Sequence, residues 1–241
     1  MIQINHVTVK KGLNLLLQPI NVKLPVNQFV CFVGASGSGK TLLLKRLIGL
    51  LPSTLSAGGT VIFPEGRNWV LGRDIGYIPQ QYHQSFVPFL TIKQTLQDLY
   101  RAHQLEYDAS FIDGLLQSFR LDEELLNRLP NQLSGGQLQR MTILTAVCLK
   151  PRLIVADELT TALDPVATRE LLDWLKKYQQ QTAATVLFVT HELKAALHYA
   201  DTLYIMKAGQ LIDTVTKETM ATRSHPYTRA LFAGIHLEKE A

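Results

Sequence analysis

The sequence is poor in cysteine and has no long apolar run. Its 241 residues include only two cysteines, Cys31 and Cys148, and both lie in apolar stretches. We therefore predict two buried thiols rather than a disulfide or a metal-binding pair. No apolar run approaches the ~20 residues that a membrane-spanning helix needs, and residues 1–9 lack the apolar region and cleavage site of a signal peptide. We expect the chain to be made and kept in the cytoplasm.

Excess charge of one sign is also small. The formal net charge is +4, and the basic residues are scattered, with only short pairs such as Lys10-Lys11 and Lys176-Lys177. This distribution predicts a solvated surface and no nucleic-acid partner, because nucleic-acid binding needs a basic patch or stripe. A small positive excess also suits a protein that is held against an anionic membrane surface.

Residues 34–41 fit the phosphate-loop pattern of two glycines, a lysine and a hydroxyl residue at fixed spacing. They follow an apolar run and precede an apolar-periodic stretch, which places them at a strand-to-helix turn. Glycines let the backbone wrap phosphates, and a helix N-terminus offers unpaired N–H groups to them. Lys40 should reach the β- and γ-phosphates, and Thr41 should ligate Mg²⁺. The candidate ATP-binding residues are Gly34, Ala35, Ser36, Gly37, Ser38, Gly39, Lys40 and Thr41. The alternative is an accidental glycine-rich turn, with a chance of about one in a hundred in a chain of this length.

Two carboxylates follow a second apolar run. Residues 153–156 predict a buried parallel strand that delivers Asp157 and Glu158 to the sheet edge where ligands bind. Asp157 is the candidate for the Mg²⁺ shell, and Glu158 is the candidate general base. Taken alone, Glu158 fits better as a solvated acid that caps the next element. The neighbouring phosphate loop favours the catalytic interpretation.

A second candidate anion-binding helix start lies in residues 133–140. It contains Ser134, Gly135, Gly136 and Gln137. Ser134 fits an ordinary N-cap, but two glycines just inside a helix cost about 1 kcal/mol each relative to alanine. Their presence predicts a close approach of the backbone to another group, and a phosphate is our preferred candidate. Two such cradles in one chain indicate a nucleotide held between two subunits.

On these residues the chain resembles the nucleotide-binding subunits of ATP-binding cassette (ABC) transporters, over nearly its whole length. The resemblance implies that Gln80 senses Mg²⁺ and the attacking water, and that His191 contacts the γ-phosphate. It also implies that Asp164 is the acid of a dimer-crossing loop, residues 161–164. Taken singly, Gln80 also fits a polar loop residue, Asp164 an N-cap before Pro165, and His191 a half-buried helix-start histidine.

The resemblance also implies an assembly. Each phosphate loop would face residues 133–140 of the other subunit, which correspond to the family's signature segment, in a head-to-tail dimer with ATP and Mg²⁺ between them. The second ATPase subunit would be identical or related, and the dimer would work on transmembrane permease subunits at the cytoplasmic face of the cell membrane. A substrate-binding protein would be an indirect partner.

The element pattern predicts an α/β fold. We expect a P-loop NTPase core with a mostly parallel sheet, an N-terminal antiparallel β subdomain and an inserted α-helical subdomain. One domain should cover residues 1–241, with the helical subdomain at about 91–150 and a short tail at about 219–241. The predicted strands are residues 2–9, 20–24, 29–33, 153–156, 185–190 and 202–206, with edge strands in 58–71, and the predicted helices are residues 92–100, 111–119, 138–149, 165–179 and 192–199.

Two segments resemble the peptide and nickel importer group. One comprises residues 85–92, and the other is the tail motif, residues 224–231, with the sequence Ser-His-Pro-Tyr-Thr-Arg-Ala-Leu. The chain stops soon after the tail motif, which favours nickel or metal-chelate members over peptide importers with longer extensions. Exporters and soluble non-transport ABC ATPases remain the alternatives. A P-loop kinase would have no use for the signature segment.

Three further features concern the binding surfaces. No aromatic residue stands in residues 9–13, where the family usually has one to stack on adenine, so Lys11 and Leu13 are the candidates to hold the base. Leu159 replaces the proline that is usual after the catalytic acid.

Residues 81–92 are the candidate docking loop for the membrane partner, and residues 82–86 are expected to be its exposed part. The alternative is that the apolar residues of this loop pack under the helical subdomain.

Overall fold

The computed structural model describes residues 1–159, 164–216, 218–219 and 225–237. Thr161, Ala162 and Leu163 of the expected dimer-crossing loop and Ser224 of the tail motif lie outside these ranges. In chain order the elements are β1 (Ile2–Lys11), β2 (Asn14–Leu24), β3 (Phe29–Val33), α1 (Lys40–Leu47), β4 (Ser56–Ile62), β5 (Ile75–Ile78), α2 (Ile92–Ala102), α3 (Ala109–Ser118), α4 (Gly135–Val147), β6 (Leu153–Asp157), α5 (Pro165–Thr182), β7 (Thr185–Thr190), α6 (Leu193–Tyr199), β8 (Thr202–Lys207), β9 (Gln210–Thr216) and α7 (Pro226–Leu237).

These elements form two compact units. The first unit combines Met1–Asn68 with Asp164–Ala241, and the second consists of Trp69–Leu163. The N-terminal sheet of the first unit has the order β2-β1-β4, and β1 pairs antiparallel with both neighbours. One face of β1 is buried through Ile2, Ile4, Val7 and Val9. The alternation of buried and solvent-facing residues in β1 is interrupted between Ile4 and Val7. The pairing register with β2 is irregular at the same place, as in a β-bulge.

The central strand of the first unit is β3, which is buried along its whole length. It lies between β7 and β8 and pairs in parallel with both, while β9 runs antiparallel to β8. A strand of five apolar residues suits a sheet whose two faces are both covered. The predicted α/β class, with a mostly parallel sheet and an antiparallel N-terminal sheet, is confirmed.

The second unit pairs β5 with β6 in parallel and contains the helices α2, α3 and α4. Each helix buries an apolar face, with Leu96 in α2, Ile112 in α3 and Met141 in α4 fully enclosed. The Tyr100 hydroxyl of α2 donates a 2.8 Å hydrogen bond to the carbonyl of Cys148, which follows α4. The three helices predicted in this part of the chain are therefore present, with ends that differ by a few residues.

Some strand boundaries differ from the prediction. β2 begins at Asn14 rather than at residue 20, and it contains Pro19. Because β2 is an edge strand of its sheet, the missing N–H of Pro19 is tolerated there. β4 ends at Ile62, whereas the predicted edge strands extended to residue 71. β5 and β9 were not predicted as strands.

Both cysteines are buried and free, as predicted. Burial raises the pKa of the Cys31 thiol strongly, and it raises the pKa of Cys148 to about 12. Neither thiol is therefore a reactive nucleophile at neutral pH. In the described part of the chain, every helix is too short or too polar to cross a bilayer.

Candidate functional site

The phosphate loop leaves the C-terminal end of β3 and leads directly into α1. Gly37 and Gly39 have φ angles of 77° and 98°, which favour glycine, and Gly39 is the residue that precedes the helix. A Cβ at Gly34 would collide with the Met206 carbonyl oxygen. The loop therefore needs its first and last glycines for space and backbone angle, and it exposes Ala35, Ser36 and Gly37 to solvent.

Lys40 is held against this loop. Only 4% of the residue is exposed, and its ammonium group donates to the carbonyls of Gly34 at 2.8 Å and Ala35 at 3.1 Å. The Ser38 hydroxyl lies 3.4 Å from the same nitrogen. A positive charge is thus fixed at the start of a helix whose first N–H groups also attract anions, which suits phosphate binding.

His191 lies at the same sheet edge as the phosphate loop. β3 and β7 pair in parallel with Val33 opposite Thr190, so the residues that follow them, Gly34 and His191, leave adjacent strands at their carboxyl ends. The buried Thr190 hydroxyl accepts a 2.9 Å hydrogen bond from the N–H of Glu192, which fixes the turn around the exposed His191.

Asp164 caps α5. Its Oδ1 accepts hydrogen bonds from the N–H groups of Val166 and Ala167, both at 2.9 Å. This is the N-cap interpretation that the sequence offered for Asp164. Its role as the acid of a dimer-crossing loop stays a prediction.

In the second unit, Asp157 and Glu158 follow each other at the end of β6. Asp157 is buried, and its carboxylate accepts a hydrogen bond from the Tyr77 hydroxyl. Burial of Tyr77 raises the pKa of its hydroxyl to about 12, and the charge and hydrogen bond of Asp157 contribute to this increase. Glu158 is half-buried, and its backbone is left-handed with a φ of 48°. Its Oε2 accepts a 2.8 Å hydrogen bond from the side-chain amide of Gln80, which follows β5. Two predicted site residues are thus in direct contact.

The three residues predicted to hold Mg²⁺ all carry oxygen donors. Thr41 has a hydroxyl, Asp157 a carboxylate and Gln80 an amide oxygen, and Mg²⁺ prefers oxygen ligands of this kind. Gln80 donates to Glu158 through its amide nitrogen, so its carbonyl oxygen is not used in that bond. The chemistry of the donor set fits the ion that the sequence implies.

The signature segment forms the start of α4. Ser134 and Gln137 make a capping box, in which the Ser134 hydroxyl accepts from the Gln137 N–H at 3.3 Å and Gln137 Oε1 accepts from the Ser134 N–H at 2.9 Å. A Cβ at Gly135 would lie 3.1 Å from the Tyr82 hydroxyl oxygen. At Gly136, no atom of the described chain would come within 4 Å of such a Cβ. Packing within the described chain therefore does not account for a glycine at position 136.

Two contacts in this unit were not predicted from the sequence. The buried Gln139 amide donates to the Leu159 carbonyl at 2.9 Å, which ties α4 to the segment after the acidic pair. Tyr82 reaches the helix start at Gly135. A glutamine among the apolar residues of α4 was the available signal for the Gln139 contact. Nothing in the sequence indicated that Tyr82, from the candidate docking loop, would contact Gly135.

The candidate docking loop is exposed only in part where we expected it to be. Within residues 82–86, His83 and Gln84 are exposed, as expected. The expectation is wrong for Phe86, which is buried with only 6% of its surface exposed. Val87 and Phe89 are exposed, Phe89 by 78%. The apolar surface of this loop is thus displaced toward its C-terminal half.

A family model described as ABC transporter matches residues 17–161. The chain belongs to the ABC transporter family. This ABC ATPase is 33% identical to the nickel import system ATP-binding protein NikD of Staphylococcus aureus strain N315, over 96% of this chain and 94% of that protein. The corresponding protein of strain USA300 is 32% identical over the same shares.

Solved structures agree with the family. The dimeric structure of a bacterial ABC transporter cassette matches with a TM-score of 0.76 and 27% identity, over 90% of this chain and 98% of that one. A dimeric post-hydrolysis state of the same cassette, bound to ADP and Pi, matches with a TM-score of 0.74 at 27% identity over the same shares. The chain is an ATP-binding and ATP-hydrolysing member of the family.

Proposed function

We propose that this ABC ATPase powers an importer of the peptide and nickel type, with nickel or a nickel chelate as the cargo. The supporting observation is its similarity to nickel import ATP-binding proteins over 96% of the chain. The tail motif, which resembles that group, points the same way. The chain would act at the cytoplasmic face of the cell membrane as one domain, residues 1–241, with a helical subdomain at about 91–150 and a tail at about 219–241.

In the proposed working state, two ATPase subunits form a head-to-tail dimer on membrane-spanning permease subunits, and a substrate-binding protein delivers the cargo to the permease. The dimer pairs two copies of this chain or this chain with a related one. Lys40 and the N–H groups of residues 34–41 bind the phosphates. Ser134 of the partner subunit approaches the γ-phosphate from the other side, where Gly135 and Gly136 allow close contact of the backbone. Asp164 lies beside the dimer boundary.

In the proposed hydrolysis step, Glu158, Gln80 and His191 have separate roles. Glu158 takes a proton from the attacking water, Gln80 orients that carboxylate and water, and His191 holds the γ-phosphate. Thr41, Asp157 and Gln80 would hold Mg²⁺. The bound ion would neutralise negative charge on the phosphates. Loss of the γ-phosphate then removes the group that both subunits grip, so the dimer opens and the permease changes its access.

Transport measurements test this proposal. We expect the chain to copurify with two permease proteins encoded by neighbouring genes, and its deletion to abolish uptake of radioactive nickel by whole cells. Complementation with the wild-type chain should restore uptake, whereas the Glu158→Gln variant should not. Normal nickel uptake in the deletion strain together with lost dipeptide uptake would identify a peptide importer instead. Accumulation of a cargo inside deletion cells would indicate an exporter, and copurification with ribosomes would indicate a non-transport ATPase.

A further inference from the structure

The tail motif begins α7 through its own residues. His225 Nδ1 accepts a 3.1 Å hydrogen bond from the N–H of Tyr227, as an N-cap side chain does. Pro226 is the first residue of the helix, where its missing N–H costs no intrahelical bond. These two residues therefore set where the helix begins and which side chains it presents next.

The next residues of the motif attach α7 to the hairpin of β8 and β9. Thr228 is fully buried, and its hydroxyl donates a 2.7 Å hydrogen bond to Oδ2 of Asp213 in β9. This distance is typical of a hydroxyl bound to a carboxylate, which is stronger than a bond between neutral groups. One turn further along α7, Phe232 is also buried.

A second contact involves the other strand of the hairpin. The Lys207 ammonium nitrogen lies 4.5 Å from the ring centroid of Tyr227, within the range of a cation–π interaction. Lys207 is the last residue of β8, directly before the turn. α7 therefore contacts both strands of the hairpin, β9 through Asp213 and β8 through Lys207.

The turn of the same hairpin touches the phosphate loop. The Gly209 N–H donates a 3.0 Å hydrogen bond to the Ser38 carbonyl, and the Gly209 carbonyl accepts from the Gln18 N–H at 2.9 Å. Gly209 has a φ of 77°, and a Cβ there would collide with the Leu16 carbonyl. The Met206 carbonyl fills the space beside Gly34. The hairpin thus contacts the loop near its beginning, at Gly34, and near its end, at Ser38.

We propose that α7 is a positioning element for nucleotide binding, in which Tyr227 and Thr228 hold the β8–β9 hairpin so that its turn keeps the phosphate loop in its binding conformation. This inference rests on the proposed role of residues 34–41 in binding ATP. Tyr227 and Thr228 act through Lys207 and Asp213 and do not contact the nucleotide. The tail motif thereby acquires a physical role.

Nucleotide binding by the full-length chain tests the proposal. We would measure the affinity for a fluorescent nonhydrolysable ATP analogue, the melting temperature and the hydrogen exchange of residues 36–40. Thr228→Val keeps the side-chain shape but removes the hydroxyl, and Tyr227→Leu removes the ring. Each should weaken analogue binding by about fivefold, the lower range for coupling between distinct sites, and should speed exchange in the loop. Ala233→Ser, at an exposed position of the same helix, should change neither.

Conservative variants separate positioning from general stability. Thr228→Ser retains a hydroxyl and Tyr227→Phe retains a ring, so both should bind the analogue like the wild type. Asp213→Ala removes the acceptor of the same hydrogen bond and should resemble Thr228→Val. A lower melting temperature with unchanged analogue affinity and unchanged loop exchange in Thr228→Val and Asp213→Ala would overturn the proposal and leave α7 as a structural anchor.

The Lys40→Ala variant distinguishes the two levels of the argument. It should lose analogue binding, because it removes the charge fixed at the centre of the phosphate loop. If Lys40→Ala bound the analogue as the wild type does, the assignment of the loop itself would fail, and this inference with it. If Lys40→Ala lost binding while Thr228→Val and Tyr227→Leu retained it, only the role of α7 would fail.

Discussion

The side-chain amide of Gln80 donates a 2.8 Å hydrogen bond to Oε2 of Glu158. The contact follows from strand pairing, because β5 and β6 run parallel with Ile78 opposite Ala156, and each chain continues from there for two residues. The residue proposed to sense Mg²⁺ and the attacking water is thus bonded to the residue proposed to activate that water. We therefore expect a movement of Gln80 to change the orientation of the Glu158 carboxylate.

Replacing Glu158 by glutamine tests its role as general base. The Glu158→Gln variant keeps the size of the side chain and its capacity to bond Gln80, so analogue binding should be unchanged. A positioned general base contributes roughly 10²- to 10⁴-fold to the rate, and steady-state phosphate release should fall by that order. Glu124→Gln, at an exposed position of the same unit, serves as the control. Phosphate release near the wild-type rate would place the base elsewhere.

Gly136 gives a prediction in which stability and activity change in opposite directions. Because no described atom would lie near a Cβ at position 136, Gly136→Ala should stabilise α4 by up to about 1 kcal/mol, the helix preference of alanine over glycine. In the assembled transporter the same methyl group should obstruct the nucleotide of the partner subunit and lower ATP turnover. Urea unfolding of the free chain and phosphate release by the complex measure the two effects.

Gly135 is the matched control for that experiment. A Cβ there would lie 3.1 Å from the Tyr82 hydroxyl, so Gly135→Ala should be less favourable for stability than Gly136→Ala. Full ATP turnover by a transporter carrying Gly136→Ala would show that no group of the partner subunit approaches this position.

The raised pKa of the Tyr77 hydroxyl predicts that the folded protein loses stability at high pH. Burial, with the Asp157 charge and hydrogen bond, raises the pKa of the Tyr77 hydroxyl from 10.0 to about 12. The neutral hydroxyl is thus favoured in the folded state, so its contribution to stability is complete below pH 10 and is lost as the pH rises from 10 to 12. The free energy of unfolding, measured by urea titration across this range, should fall less steeply in Tyr77→Phe than in the wild type.

Tyr204→Phe is the comparison for this measurement. Burial alone raises the pKa of Tyr204 to about 12, so this variant should flatten the alkaline loss of stability in the same window without removing a donor to Asp157. Only Tyr77→Phe should also raise the Mg²⁺ concentration needed for ATP hydrolysis. Equal Mg²⁺ requirements in the wild type and in Tyr77→Phe would contradict a role of the Tyr77 hydroxyl in placing Asp157.

The absence of an aromatic residue in residues 9–13 predicts weak selection of the base. Stacking on an aromatic ring is worth about 1–3 kcal/mol, and here the tip of the β1–β2 hairpin offers a fully exposed Leu13 instead. Competition of ATP and GTP for the bound analogue should give similar affinities for the two nucleotides. Leu13→Ala should weaken both alike, whereas Leu105→Ala, at an exposed position of the other unit, should weaken neither. A strong preference for ATP would refute the prediction.

Buried strands were the part of the fold that the sequence predicted best. The ranges predicted for β3 and β7 match the structure, because an uninterrupted apolar run between polar segments admits few alternatives. The beginning of β2 was not predicted, and this strand contains Pro19, which an edge strand tolerates. β9 was missed because its residues are mostly exposed or half-buried and give no clear alternation.

In the candidate site, too, local motifs were predictable and long-range contacts were not. The phosphate-loop lysine, the acidic pair and the signature serine were predictable from local spacing, since each motif acts through residues that are close in sequence. The Gln139 bond to Leu159 and the Thr228 bond to Asp213 join residues far apart in the chain, and they depend on packing that no local pattern encodes. The tail motif was recognised in the sequence, but its proposed role could be inferred only from its contacts with the β8–β9 hairpin.

The enclosed thiols of Cys31 and Cys148 make the natural chain a convenient background for spectroscopy. Maleimide dyes and spin labels react with thiolates, and neither native sulfur offers one at neutral pH. A single cysteine introduced at an exposed position, such as Phe89→Cys, would therefore carry the probe alone, and its distance to a second label would follow the motions of the subunit during turnover.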